Sequence, residues 1–222
     1  MSSDSVVGLL LGPDLEGLTT VTGSGPSLTE VASRSMWVSI RDVAGSRADT
    51  ASRVRSLCEH GVRILLVIDV AKGVRPGWAV SGGPFALIAD HLNLTGDNPL
   101  IGPNDPQWGP RFQDLTDAWD STLRTTLRRA ALERGVALRE GVVAGLPGSA
   151  RTAAELNMLR MLGADMVSEG FVAEAIIGRH AGRRMVGLAV LNPEPELSGV
   201  VPALLDLLRD LIPALEEADL PT

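Results

Sequence analysis

Tyrosine is absent from the 222 residues, cysteine occurs once and histidine three times. The first absence removes phenolic acid–base chemistry, and a lone Cys58 precludes a disulfide within the chain. Cys58 falls on a predicted helix just before Gly61, the setting of a packed, inert thiol rather than a nucleophile. His60, His91 and His180 form no Cys/His or His-x-Glu cluster at metal-ligand spacing, so the sequence implies neither a metal nor a cofactor. No apolar run approaches a membrane span. The first five residues lack the basic region of a secretory signal and Val6–Leu11 is too short for its apolar core, which predicts a cytoplasmic chain. Basic residues are in deficit, giving a formal charge of −7; a nucleic-acid partner, which needs a basic stripe to displace counterions, is not expected.

What is present reads as a single globular domain over 1–222, long enough to bury a core without staples. Short Val/Ile/Leu-rich runs alternate with amphipathic stretches, the pattern of an α/β sheet covered by helices. Strands are predicted over Val6–Leu11, Trp37–Ile40, Arg63–Val70, Phe85–Ala89, Val136–Ala144, Met166–Ser168 and Met185–Leu191. One helix runs from Asp49 to His60 and stops at Gly61. A second covers Asp117–Arg134, with Thr116 as N-cap and Gly135 as stop. Thr152-Ala-Ala-Glu155 is a capping box opening a third, which ends at Gly163. A last amphipathic helix begins near Pro202 and is disturbed at Pro213.

The stretch from Asp90 to Leu115 breaks this alternation, being rich in Pro, Gly, Asn and Asp with little periodicity. A loop of that length inside a compact domain is functional or forms an interface. It reads Asp90-His-Leu-Asn-Leu-Thr-Gly-Asp-Asn-Pro-Leu-Ile-Gly-Pro-Asn-Asp105, followed by Gly109-Pro-Arg-Phe112 and Leu115-Thr-Asp-Ala-Trp119. Farther on come Thr152-Ala-Ala-Glu155, Leu162-Gly-Ala-Asp-Met-Val167, Val172-Ala-Glu174 and Ile177-Gly-Arg-His-Ala-Gly182. On these blocks, in this order, the chain resembles the trimeric purine nucleoside phosphorylase family. Two looser matches precede them: Gly12-Pro-Asp-Leu-Glu-Gly17 at the family's first glycine loop, and Asp69-Val-Ala-Lys-Gly73 at a small-residue turn.

The resemblance implies a central mixed, largely parallel sheet flanked by helices, a small-molecule ligand, and a homotrimer with sites near the subunit interfaces. It assigns Asp69, Val70, Ala71, Val167, Ser168 and Gly170 to the pocket wall. Asn192 matches the family's base-contacting asparagine, and Phe112 matches an aromatic that reaches into the neighbouring subunit's site. The other reading of Phe112 is a loop aromatic that only stabilises an interface.

Several positions depart from the pattern. Phosphorolysis needs hydroxyls, amides and a cation around a doubly charged oxyanion. The family's glycine-loop serine corresponds to Pro13, and the serine after the Val-Gly-Met block to Gly170. Of an arginine–histidine pair only Arg41 survives, beside Asp42. Ala150-Arg151 stands in place of a Phe-Glu pair, so both the stacking ring and the acceptor for a purine N–H are lost. Val167-Ser-Glu-Gly170 places Glu169 on the pocket wall.

These changes point first to a redeployed pocket, with Glu169 as a partly desolvated general acid or base on a different small molecule and Arg151 orienting it or holding an anionic group. The bland alternative is an Arg151–Glu169 salt bridge that plugs a dead pocket. Asp69, Lys72 and Asp42 are second-rank candidates. Two further readings stay open: a true phosphorylase in which Arg41, Arg151 or Lys72 supplies the cation, and a noncatalytic ligand-binding protein. Gly23-Ser-Gly25 is either a displaced phosphate loop or, as such triplets more commonly are, a hairpin turn.

Overall fold

The computed structural model describes residues 6–18, 27–31, 34–41, 47–75, 83–148, 151–191 and 199–220. In chain order the elements are β1 (Val7–Leu11), a short 3-10 helix (Pro13–Leu18), β2 (Ser27–Val31), β3 (Arg34–Ile40), α1 (Arg47–Glu59), β4 (Ile64–Gly73), β5 (Phe85–Asn93), α2 (Ser121–Glu133), β6 (Arg139–Gly145), α3 (Ala153–Met161), β7 (Met166–Ser168), α4 (Val172–His180), β8 (Arg184–Leu191) and α5 (Val201–Glu217). All eight strands form one sheet in the order β2-β3-β1-β4-β7-β6-β5-β8, with β4 also pairing β8. That extra pairing closes β4, β8, β5, β6 and β7 into a ring, from which β1, β3 and β2 extend as an open edge. Five of the eight pairings are parallel, so the mixed, largely parallel sheet is observed.

Strand parity divides the core. In β4, Ile64, Leu66 and Ile68 face a cluster that includes Leu9, Leu11, Leu123, Leu127 and the Leu204–Leu215 stripe of α5. Leu65 and Val67 face the opposite cluster, with Val54 and Leu57 of α1, Ala175 and Ile177 of α4, and Trp119. Helices α2 and α5 thus cover one face, α1 and α4 the other. Burial on both faces is why β4 and β8 read as continuous apolar runs rather than alternating ones.

Most predicted elements are found with shifted ends. Thr152 makes the capping box with Glu155 in both directions, and Gly61, Gly135 and Gly163 take the left-handed conformation past their helices. Cys58 is buried and free. The N-cap of α2 is Asp120, whose carboxylate accepts from the Leu123 amide, not Thr116; Thr116 instead closes a turn on Asp114. Strand β2 escapes prediction because Ser27-Leu-Thr-Glu-Val31 is short and carries a single strongly apolar pair, while β4 and β5 run several residues past their predicted ends. The helix α5 continues through Pro213. Gly23-Ser-Gly25, Asp42, Ala150 and Asn192 lie outside the described residues.

Candidate functional site

A cleft lined by Leu10, Leu11, Gly12, Arg41, Arg53, Val67, Asp69 and Glu174 opens at the carboxyl ends of β1 and β3, beside the middle of β4; an open α/β sheet usually receives its ligand at such strand ends. Register builds it. Leu11 is opposite both Ile40 and Ile68, and the ladders continue one step further through Arg41 N–H to Leu11 O at 2.7 Å and Gly12 N–H to Ile68 O at 2.8 Å. Gly12 and Arg41, just past the ends of β1 and β3, are therefore neighbours of Asp69 in the middle of β4. Asp69 shares the parity of Leu65 and Val67, which turns its side chain toward α1 and α4. Helix α4 then supplies Glu174 and α1 supplies Arg53.

The guanidinium of Arg41 donates to Asp69 Oδ2 at 2.8 Å and its Nε lies 4.0 Å from Glu174 Oε1. Asp69 Oδ1 accepts from the Val70 amide at 2.7 Å. Both acids are buried, at 3% and 4% exposure. Burial pushes the Asp69 carboxyl up to about 6 against the opposing pull of Arg41, and nearby Glu174 adds to the rise. For Arg41, burial works to lower the value, but Asp69 and Glu174 outweigh it and the guanidinium is raised above its ordinary value. Gly12 and Gly170 clamp the Asp69 carboxylate: a Cβ at either position would overlap it. Arg53 donates to the Ile40 carbonyl at 3.3 Å and to Thr50 Oγ1 at 3.2 Å. Glu174 Oε2, Arg41 Nε and the Ser39 hydroxyl are buried without a hydrogen-bond partner among the described residues.

The cleft's far wall is tied to β7. Ser168 Oγ donates to the Val70 carbonyl at 2.7 Å and accepts from Gly170 N–H at 3.2 Å. Phe171 follows with φ 76°, a left-handed conformation rare outside glycine; its ring is fully buried edge-on to Trp119, 6.1 Å between centroids. Trp119 in turn donates to His91 Nδ1 at 3.1 Å.

Of the residues singled out from the sequence, Arg41, Asp69, Val70, Ser168 and Gly170 meet around this cleft. Ala71 and Val167 are buried on the adjoining strands. Glu169 and Arg151 do not behave as a desolvated pair. Glu169 is exposed, because it follows the last residue of β7 where the chain turns outward; it contributes to the negative field at Arg41. Arg151 instead donates to the carbonyls of Leu146 and Pro147, at 3.2 and 3.0 Å. Lys72 is exposed. Phe112 is 88% exposed, beneath the Arg111 guanidinium. Gly12, Arg53 and Glu174 belong to the cleft and were not named as site residues, although Gly12 and Glu174 fall within segments that carry the resemblance. The signal available for Glu174 was one acid in the otherwise apolar run Val172-Ala-Glu-Ala-Ile-Ile-Gly178. Among the described residues no group of three His, Cys, Asp or Glu could hold a metal ion, and no helix is long and apolar enough to cross a membrane.

A ring of strands with an open edge of β1, β3 and β2, helices on both faces and a cleft beside the ends of β1 and β3 make a nucleoside phosphorylase-type α/β architecture. The family model described as the phosphorylase superfamily matches residues 16–198. Purine nucleoside phosphorylase 1 of Geobacillus stearothermophilus is 39% identical over 140 residues, 63% of this chain and 50% of that protein. The mouse (Mus musculus) purine nucleoside phosphorylase is 40% identical over 138 residues, 60% and 47% of the two chains. The alignments thus span about half the length of these relatives. A solved structure of isoform 2 of the Schistosoma mansoni enzyme, in complex with cytosine and ribose-1-phosphate, superposes with TM-score 0.75 at 27% identity, covering 99% of this chain and 92% of that one. A purine nucleoside phosphorylase in complex with ribose-1-phosphate gives TM-score 0.80 at 24% identity over 100% and 93%, a likeness of fold. The chain belongs to the phosphorylase superfamily and, within it, to the purine nucleoside phosphorylase family.

Proposed function

We propose that this protein cleaves the N-glycosidic bond of a purine nucleoside in the cleft between the ends of β1 and β3 and the middle of β4, as a single cytoplasmic domain assembling into a homotrimer, without a cofactor. The observation that carries the proposal is the position of Arg41, a half-buried guanidinium braced by Asp69 and Glu174 in that cleft, in a chain 39% identical over 140 residues to a purine nucleoside phosphorylase. Breaking the bond builds positive charge on the sugar ring, and the two buried carboxylates favour that charge where water is excluded. The base would lie toward Ser168 and Gly170. Incubation with guanosine, inosine or adenosine, with and without phosphate, is expected to release free purine, read by chromatography. Absence of release from all three, by protein shown to be folded, would remove the proposal.

The pocket's substitutions favour a second reading: a different small molecule handled without phosphate by Glu169, Arg151 and Asp69. Pro13 and Gly170 offer no hydroxyl to an anion, and Arg151 stands where a purine acceptor is needed. Copurified ligand identified by mass spectrometry as something other than a purine or nucleoside would select this reading.

A further inference from the structure

The cleft's charges are already balanced. Two guanidiniums, Arg41 and Arg53, stand against two buried carboxylates, Asp69 and Glu174, and the exposed Glu169 adds to the negative field at Arg41. The Asp69 carboxylate sits against Gly12 and Gly170, with one oxygen on Arg41 and the other on a backbone amide. It is itself the anion that the Arg41 guanidinium holds. A phosphate dianion entering here would bring further negative charge against buried carboxylates, with Coulomb repulsion little screened. What the cleft has to offer is different: one buried acceptor, Glu174 Oε2, and one buried donor, Arg41 Nε, neither with a hydrogen-bond partner among the described residues, Nε lying 4.0 Å from Glu174 Oε1. A neutral group that both donates and accepts satisfies both without bringing further negative charge against the carboxylates.

We infer that the acceptor of the glycosyl group is water, so that the protein is a nucleoside hydrolase built on a phosphorylase scaffold, with Glu174 as the base that receives the water proton and Arg41 Nε holding the water oxygen. In the step, the C1′–N bond breaks and its electron pair leaves with the purine. The water oxygen bonds to C1′, and its proton passes to Glu174 Oε2. The purine takes a proton from solvent, and Glu174 returns its own to solvent. One nucleoside and one water give one free purine and one free pentose, with no oxidant or co-substrate. Asp69 is a positioning residue: by occupying the guanidinium face of Arg41 it leaves Nε for the water.

The inference rests on the proposed cleavage of a purine nucleoside, and the test separates the two. Purine release from guanosine and inosine is measured in phosphate-free buffer and at rising inorganic phosphate, assaying both reducing pentose and pentose 1-phosphate. A rate independent of phosphate, with free pentose as the only sugar product, is expected. A rate that rises with phosphate and yields pentose 1-phosphate overturns the inference while leaving nucleoside cleavage standing. No release under either condition overturns both. Glu174→Gln, close to isosteric, is expected to lower the phosphate-free rate about 100-fold with the melting temperature checked in parallel; a full rate in folded Glu174→Gln overturns the role of Glu174. Should that variant not fold, thermal shift of the native protein decides: inorganic phosphate is expected to leave the melting temperature unchanged, and stabilisation that saturates with phosphate counts against water as acceptor.

Discussion

The stretch from Asp90 to Trp119 is mostly loop beyond the end of β5, and the cleft lies where β1 and β3 end beside the middle of β4. The first carries a block on which the resemblance to the family rests, and the second adjoins Pro13 and Gly170, which the sequence marks as departures from it. The physical difference lies in what each side chain bonds. In the first, short polar side chains bond the nearby backbone: Asn98 accepts from the Leu100 amide, Asp105 from Gln107 and Asp114 from Thr116. Asn104 reaches the Gly109 carbonyl and meets the His180 ring. Each such bond needs that residue type at that position, since Asx turns depend on side-chain length. In the cleft, side chains mainly bond one another through charge, and what must be kept is the balance of charge and not the identity of any one residue. Such a site can change its chemistry without unfolding its frame.

The most severe test of that contrast is Arg41→Met. It leaves Asp69 and Glu174 buried together without the guanidinium that braces both, and is expected to destabilise by about 3–5 kcal/mol in urea denaturation. Unchanged stability would mean that the two carboxylates are not held as a charged network. Next in size is Gly170→Ala. Its Cβ would overlap the Asp69 carboxylate, for a cost of about 1–3 kcal/mol. Most of that cost should vanish when Asp69→Ala is combined with it, because the clash and its partner are then removed together. Additive losses would show that Gly170 is required for some other contact.

A smaller effect, a few degrees of melting temperature, separates Asp69→Asn from the native protein as pH is varied. The folded carboxyl is raised from 3.8 to about 6 by burial. Between those values the unfolded chain gives up the Asp69 proton while the folded one keeps it, so raising the pH through this window costs the native protein stability. Below it the group contributes no difference. The groups facing Asp69 are Arg41, Glu174 and the Val70 amide, and an amide at position 69 does not titrate among them. The stability of Asp69→Asn relative to the native protein is therefore expected to rise from about pH 4 to about pH 6 and then level off. A difference constant across the window would place the Asp69 titration elsewhere.

How far the sequence foretold these features follows from the same contrast. The frame was legible because its signals are local: glycines past helix ends, the Thr152–Glu155 box, apolar runs for doubly buried strands, and the blocks from Asp90 onward. Of the cleft, Arg41, Asp69 and Gly170 were legible through their places in the family pattern. Their meeting was not, since it depends on Leu11 lying opposite both Ile40 and Ile68, and register between strands that far apart leaves no mark on either alone. Glu174 was hidden by being one acid on an apolar helix. Glu169 misled for the opposite reason: its place beside Gly170 suggested the pocket wall, but the chain turns it outward at the end of β7.

Phe112 gives the smallest expected effect on the chain and bears on the loop side of the comparison. At 88% exposure it buries little against its own chain, so Phe112→Ala is expected to change unfolding free energy by no more than about 0.5 kcal/mol. A large apolar ring held out on a loop fixed by side-chain bonds is, however, the kind of group that carries an interface. If the trimer forms through this loop, the same substitution is expected to weaken association in sedimentation equilibrium while leaving the monomer's melting unaltered. If assembly is untouched and purine release falls instead, Phe112 serves a neighbour's cleft without holding the trimer together. With neither changed, the loop's residues serve the Asx turns alone, and the contrast is one between a loop fixed by side-chain bonds and a cleft held by a charge network.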